Sequence, residues 1–275
     1  MLQTLSAAVA GVGLGLKAYS VTPSGVRFVV LLWDPESGDL LAMMEADRLG
    51  VLRTGAASGV ATRHMAPADA RRLAVYGSGH QAISQIEAVC RVRPIEEVRL
   101  YSPTREHREG CAEQVQDQLG LRAQAVSEPQ EAAAGAEVVT TITKAKEPVL
   151  SRSWLSTGVH INAAGSNRRD ARELDRETVT GAARIVVDAL DQCRHEAGDL
   201  LEQDGAGGFL PGLDEERLSE LSAVVAGRAS GRGSEDEITL FESTGIAVED
   251  VALARIVYDR AVERGRGERL PQTLL

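Results

Sequence analysis

The chain has 275 residues, 43% hydrophobic and 25% charged, the proportions of an ordinary globular protein with length enough for one large domain or two modest ones. A formal net charge of −10 argues against nucleic acid or an anionic membrane as the main partner, and no apolar run reaches the roughly 18–20 residues that a membrane span requires. The three cysteines, Cys90, Cys111 and Cys193, are odd in number, far apart and without a CxxC pair, which speaks against a disulfide framework or a bound metal and for a reducing cytoplasm.

Met1 to Leu16 is apolar and small, but no basic segment precedes it and no cleavage site ends it, so it reads as part of the fold rather than a signal peptide. Val26–Trp33 is a run of branched and aromatic residues that predicts a buried strand. Turn residues over Asp34–Asp39 and a returning strand over Leu40–Met44 complete a β-hairpin. Thr54–His64 is helical in pattern and ends near Pro67.

From Arg72 strands alternate with helices. Strands are expected over Leu73–Tyr76, Val98–Tyr101, Ala123–Val126, Glu137–Ile142, Val159–Ala163, Arg184–Asp188 and Ile238–Glu242, with helices leading to Cys90 and over His107–Leu119. This spacing predicts βαβ units and a parallel sheet. Gly205–Gly212 and Val224–Glu237 read as loops, and Ile246–Arg264 as a final amphipathic helix. The expected architecture is α/β: a nucleotide-binding domain over 55–245, inserted between two pieces (1–54 and 246–275) of a second, α+β domain.

The first strand of the inserted domain runs into Gly77-Ser78-Gly79-His80-Gln81-Ala82. A Rossmann turn needs a glycine for the tight bend, a second where backbone approaches a pyrophosphate, and a small residue for helix packing. Gly77, Gly79 and Ala82 fill those places, and the following helix aims its positive end at the phosphates. An isolated GxGxxA is a weak signal; a preceding strand, a following helix and a second strand ending about 20 residues on make it strong. That second strand ends in Tyr101-Ser102-Pro103-Thr104-Arg105, with no acid until Glu106. An acid there would bind a ribose hydroxyl and favour NAD, whereas Ser102, Thr104 and Arg105 suit a 2′-phosphate, so NADP is favoured over NAD. His80 is assigned to the phosphate turn without a catalytic role, and His160 reads as a packed or capping residue.

Several segments, in order, resemble the ornithine cyclodeaminase/mu-crystallin family. They are Gly15-Leu16-Lys17, Leu52-Arg53-Thr54-Gly55-Ala56-Ala57, the glycine turn, Thr141-Ile142-Thr143 with Pro148 behind it, and His160 to Gly165. Arg172-Glu173-Leu174-Asp175, Gly198-Asp199-Leu200 and Thr239 to Gly245, leading to Glu249-Asp250, follow. The resemblance runs from about Gly15 to the C-terminus. It implies a Rossmann domain with a dimerisation and substrate domain built from both chain ends, a homodimer, and hydride exchange between a nicotinamide and the α-carbon of an amino acid or imine. It also implies roles: Lys17 and Arg53 as the catalytic, carboxylate-binding cations, Thr54, Thr141, Thr143, Ser243 and Thr244 at the cofactor, and the position of Asn167 at the substrate.

A guanidinium grips a carboxylate through two parallel bonds, and an ammonium desolvated beside it loses proton affinity, as a proton shuttle requires. The plainer alternatives are a snorkelling Lys17 and an Arg53 held in a structural ion pair. Ornithine cyclodeaminases carry aspartate where this sequence has Asn167, which cannot ionise. That favours an imine reductase or amino-acid dehydrogenase, with the cyclodeaminase and a non-enzymatic, crystallin-like NADP-binding protein as alternatives. The family pattern also places a further substrate-binding arginine ahead of the GxK motif, whereas this sequence starts close to it. If the sequence is complete, a carboxylate ligand and part of the dimer sheet are missing, which would weaken the enzyme reading.

Overall fold

A computed structural model describes residues 1–202 and 208–269; of the loop expected over Gly205–Gly212, residues 205–207 lie outside the described residues. In chain order the elements are β1 (Leu2–Val9), β2 (Gly13–Thr22), β3 (Gly25–Trp33), β4 (Leu40–Glu45), α1 (Asp47–Met65), β5 (Arg72–Tyr76), α2 (Ala82–Cys90), β6 (Glu97–Tyr101) and α3 (Arg105–Leu119). They continue with β7 (Arg122–Ala125), α4 (Pro129–Ala133), β8 (Val138–Thr141), β9 (His160–Ala163), α5 (Arg176–Gly181), β10 (Arg184–Val187) and α6 (Leu190–Glu196). The last are β11 (Leu218–Glu220), α7 (Leu221–Val225), β12 (Thr239–Glu242) and α8 (Ala247–Glu263). The chain divides into two compact units, Thr54–Thr244 and Met1–Arg53 with Gly245–Leu275.

The larger unit holds an eight-stranded sheet in the order β11-β10-β12-β9-β8-β5-β6-β7, parallel throughout. The chain steps outward from β5 to β6 and β7, then returns to the other side of β5 with β8. The order therefore reverses between β5 and β8, and in open α/β sheets the crevice at the strands' carboxyl ends there takes the ligand. The strands are buried on both faces. Tyr76, Val139, Ile161, Ile185 and Leu240 pack on one side, and Leu73, Val75, Val98 and Leu100 meet Ile86, Val89 and Val115 on the other. Such strands read as short unbroken apolar runs rather than alternating ones.

Helix α1 lies close against α2 because it presents glycines there. A Cβ on Gly55 would sit 2.6 Å from the Ser84 carbonyl oxygen, and one on Gly59 3.1 Å from the Ala88 Cβ. The C-terminal carbonyls of α1 are met by arginines. Buried Arg93 donates from Nη2 to Thr62, Arg63 and Ala66 and from Nε to Pro67, while Arg232 Nε donates to Met65 at 2.6 Å. Deep in the same unit His160 is fully buried, with Nδ1 3.0 Å from Thr239 Oγ1 and Nε2 3.1 Å from Asn162 Oδ1. It is a packed residue. Burial, reinforced by the Arg232 and Arg93 guanidiniums and opposed by the Asn162 hydrogen bond, lowers its pKa to about 3.

The smaller unit is a four-stranded antiparallel sheet, β1-β2-β3-β4, against which α8 packs. The apolar start of the chain is a hairpin, β1 with β2. β3 departs from the expected buried strand: Val30 and Leu32 are fully buried, but the intervening Val29, Leu31 and Trp33 are only half-buried. Only alternate residues turn to the core of Val30, Ala46, Leu49 and Ala254, as an antiparallel sheet allows. α1 begins at Asp47, ahead of the expected Thr54, and the expected loop from Val224 starts inside α7. Among the described residues no helix is long and apolar enough to cross a membrane.

Arg93→Ala strands several carbonyls at the end of α1 and is expected to cost about 2–3 kcal/mol, read as a lower urea midpoint at constant slope; an unchanged midpoint would show that the cap is dispensable. Because the folded-state pKa of His160, about 3, lies below the unfolded value of about 6.5, its contribution is present above pH ~6.5 and lost as pH falls toward 3. His160→Gln is expected to flatten the decline in melting temperature over that window relative to the parent; parallel curves would refute the assignment.

Candidate functional site

The larger unit carries the glycine turn at the carboxyl end of β5. Gly77 has φ +111°, and a Cβ there would lie 2.3 Å from the Ile142 carbonyl oxygen, so the turn needs glycine for both conformation and space. Gly79 is exposed, with nothing within 4 Å of an added Cβ, which leaves backbone open to an incoming group. His80 is exposed beside it. Gln81 N-caps α2 without a side-chain bond, no acid stands in the first turn, and Ala82 is buried. An uncapped helix end behind an open glycine is an anion cradle, and these residues fit a dinucleotide pyrophosphate. Thr54 is buried, its carbonyl accepting from Gln85 Nε2 at 3.3 Å.

At the tip of β6 the Ser78 and Ser102 hydroxyls bond one another at 2.8 Å. Thr104, exposed, N-caps α3 in an extended conformation without a side-chain bond. Arg105 is also exposed, its Nε held by Glu109 Oε1 at 2.8 Å. Sequence reasoning missed Arg108, whose Nη1 donates to the Ser102 and Pro103 carbonyls at 3.0 and 3.3 Å and adds a second cation at this tip.

Along the same sheet edge the Thr141 hydroxyl donates to Glu173 Oε2 at 2.9 Å, and the Thr143 amide to Glu173 Oε1 at 2.6 Å. Ser243 Oγ donates to Asp188 Oδ2 at 3.1 Å, and both Ser243 and Thr244 are buried. Asn167, by contrast, is exposed on the loop after β9. Glu173 and Asp188 drew no role from the sequence, although Glu173 lies in one of the motifs.

The smaller unit carries the cations. In β2 the buried face is Gly13, Gly15 and Lys17. A Cβ on Gly15 would come within 2.4 Å of Val251 Cγ2, so the glycine lets α8 approach, and Lys17, two residues on and on the same face, meets the helix's first turn. Its Nζ lies 2.6 Å from Asp250 Oδ2, with both side chains nearly inaccessible. Arg53 reaches the same turn, with Nε 3.2 Å from Asp250 Oδ1 and Nη1 3.1 Å from Glu249 Oε2. Burial first, and then the Arg53 charge, lowers the Lys17 pKa against the opposing pull of Asp250 and Glu249. Gly245, at φ +79°, lies against Arg53, and a Cβ there would stand 2.3 Å from Nη1. Lys17 is thus a buried, paired cation rather than a snorkelling one. Its partner Asp250 went unassigned because the ion pair joins residues far apart in sequence.

The ornithine cyclodeaminase/mu-crystallin family matches residues 15–265. A Delta(1)-pyrroline-2-carboxylate reductase of Bacillus cereus is 39% identical over 264 residues, covering 94% of this chain and 80% of its own length. The ketimine reductase mu-crystallin of Rattus norvegicus is 38% identical over 230 residues, 84% of this chain and 68% of its own. Among solved structures, Thermococcus litoralis Delta(1)-pyrroline-2-carboxylate reductase in complex with NADH and L-proline superposes with TM-score 0.88 and 37% identity, over 94% of this chain and 81% of that one. An archaeal alanine dehydrogenase dimer with bound NAD gives 0.88 and 33%, over 98% and 84%. The chain belongs to the ornithine cyclodeaminase/mu-crystallin family.

Proposed function

We propose that this chain is a nicotinamide-dependent oxidoreductase that reduces imines of α-amino acids, cyclic ones among them, or runs the reverse oxidation. The single observation that carries the reading is the buried Lys17 beside the half-buried Arg53, held against Asp250 and Glu249, in a family whose similar members include imine reductases and an alanine dehydrogenase. The open glycine cradle before α2 would hold the dinucleotide, with Thr54, Thr141, Thr143, Ser243 and Thr244 proposed along its length. When bound, the nicotinamide supplies or accepts hydride at the substrate's α-carbon.

Arg53, oriented through Nε and Nη1, offers its remaining donors to the substrate carboxylate. Lys17 holds a proton less tightly than an exposed lysine does. In the reductive direction it delivers that proton to the imine nitrogen, which makes the α-carbon electrophilic; in the oxidative direction the neutral amine takes it back. Asp250 keeps Nζ in place through both states. Ornithine cyclisation is the weaker reading, because Asn167 cannot ionise to receive a proton from a side-chain amine. NADP is proposed over NAD on the absence of an acid before Glu106 and the presence of Arg105 and Arg108 at the β6 tip. A homodimer in a reducing cytoplasm fits the dimeric relative and the three free cysteines.

Lys17→Met is expected to lower turnover of Δ1-pyrroline-2-carboxylate by about 10²–10⁴-fold while dinucleotide affinity, followed by thermal shift, stays within a few-fold. Parallel loss of both would remove Lys17 from the substrate site. Parallel titrations with NADPH and NADH are expected to favour NADPH, and Arg105→Ala to weaken NADPH more than NADH. Equal weakening would remove the case for NADP.

A further inference from the structure

Glu173 is fully buried between β9 and α5, and donors from two neighbouring strand ends converge on it. Its Oε1 accepts from the Thr143 amide at 2.6 Å, and its Oε2 from Thr141 Oγ1 at 2.9 Å and the Gly165 amide at 2.8 Å. The main chain of Glu173 is pinned in turn. Its carbonyl accepts from the Val149 and Leu150 amides, and its amide and that of Leu174 both donate to Asp199 Oδ1 at 2.7 Å. Burial, with the Glu173 charge next, pushes Asp199 up to about 7.

The packing leaves no slack. A Cβ on Gly165 would fall 2.3 Å from the Thr143 nitrogen and 2.5 Å from Glu173 Oε1. Thr143 follows Ile142, whose amide donates to the Tyr76 carbonyl at 2.8 Å and whose carbonyl oxygen is the atom that forbids a side chain at Gly77. One carboxylate therefore fixes the ends of β8 and β9 and, through Ile142, borders the turn after β5. Both of its oxygens face backbone N–H donors, a demand that a carboxylate meets and an amide does not.

We propose that Glu173 is a positioning residue for hydride transfer: it clamps Thr143 and Gly165 so that the dinucleotide meets a preformed edge at the carboxyl ends of β5, β8 and β9. This rests on the oxidoreductase reading above. Glu173 touches neither substrate nor dinucleotide in this scheme; it acts through the loops it holds.

The test combines steady-state kinetics with NADH, NADPH and Δ1-pyrroline-2-carboxylate and amide hydrogen exchange on the ligand-free chain. Glu173→Gln turns an NH2 group toward one of the backbone donors. It is expected to raise the dinucleotide KM by about tenfold, the equivalent of one hydrogen bond to a charged acceptor, leave the imine KM within about twofold, and speed exchange at Thr143 and Gly165 ahead of the β5 and β12 amides. Glu173→Asp, shorter but charged, is expected to recover part of the dinucleotide KM. A lower unfolding midpoint with unchanged dinucleotide KM would make the clamp merely structural and overturn the proposal. If Glu173→Gln does not fold, Glu173→Asp decides the matter: faster exchange at Thr143 and Gly165 with a raised dinucleotide KM supports the clamp, and no change in either overturns it. Absence of turnover by the parent chain with both dinucleotides would instead overturn the oxidoreductase reading, while the exchange rates still report on the clamp.

Discussion

A charge taken out of water has to be met inside the fold, or its desolvation costs more than a small protein can carry. Each unit of this protein buries an ionisable group of this kind. In the smaller unit it is Lys17, which sits on the buried face of β2 where an aliphatic residue would ordinarily go. Asp250 in the first turn of α8 answers it at 2.6 Å, and a glycine two residues earlier lets the helix come near enough for the pair to form. Packed apolar residues in place of such a pair often leave a fold as stable or more so, whereas removing one partner alone strands the other. A lysine whose proton is loosened by burial and by a neighbouring arginine is the kind of group that the imine chemistry proposed above would use.

In the larger unit the group is the Glu173 carboxyl, whose pKa burial raises against the opposing hydrogen bonds from Thr143, Thr141 and Gly165. A parallel sheet buried on both faces has its polar business at the strand ends, where backbone amides leave the ladder and need new acceptors. Here one carboxylate supplies them for two adjacent strands. The same edge bears the Gly77 turn and the seryl residues at 78, 102 and 243. Glu173 and Asp188 hold this edge, and the residues they hold, Thr141, Thr143 and Ser243, are the ones proposed to meet a ligand there, an arrangement that preorganises a site.

The sequence made some of this legible and hid the rest for identifiable reasons. The alternation from Leu73 to Glu242 was readable because fully buried parallel strands are short apolar runs set between helices, and the glycine turn was readable because each glycine answers a local need. The first two strands were not, although the hairpin of β3 and β4 was. β2 turns Gly13, Gly15 and Lys17 inward and leaves Leu14 39% exposed, which inverts the usual apolar-in pattern, and β3 looked buried because its outward face is as apolar as its inward one. The helix α1 was placed late because the alanine-rich, helical pattern becomes plain only from Thr54.

What the residues alone determined, then, was the parallel-sheet architecture and the glycine turn at its first strand, since these depend on local backbone geometry, whereas Lys17 and Arg53 were singled out through the family resemblance. What only the tertiary structure decided was which charge answers which. Asp250 lies far along the chain from Lys17, and Glu173 from Thr141 and Thr143. Ion pairs and convergent hydrogen bonds leave no periodic trace in sequence, because distance along the chain says nothing about distance through a folded core.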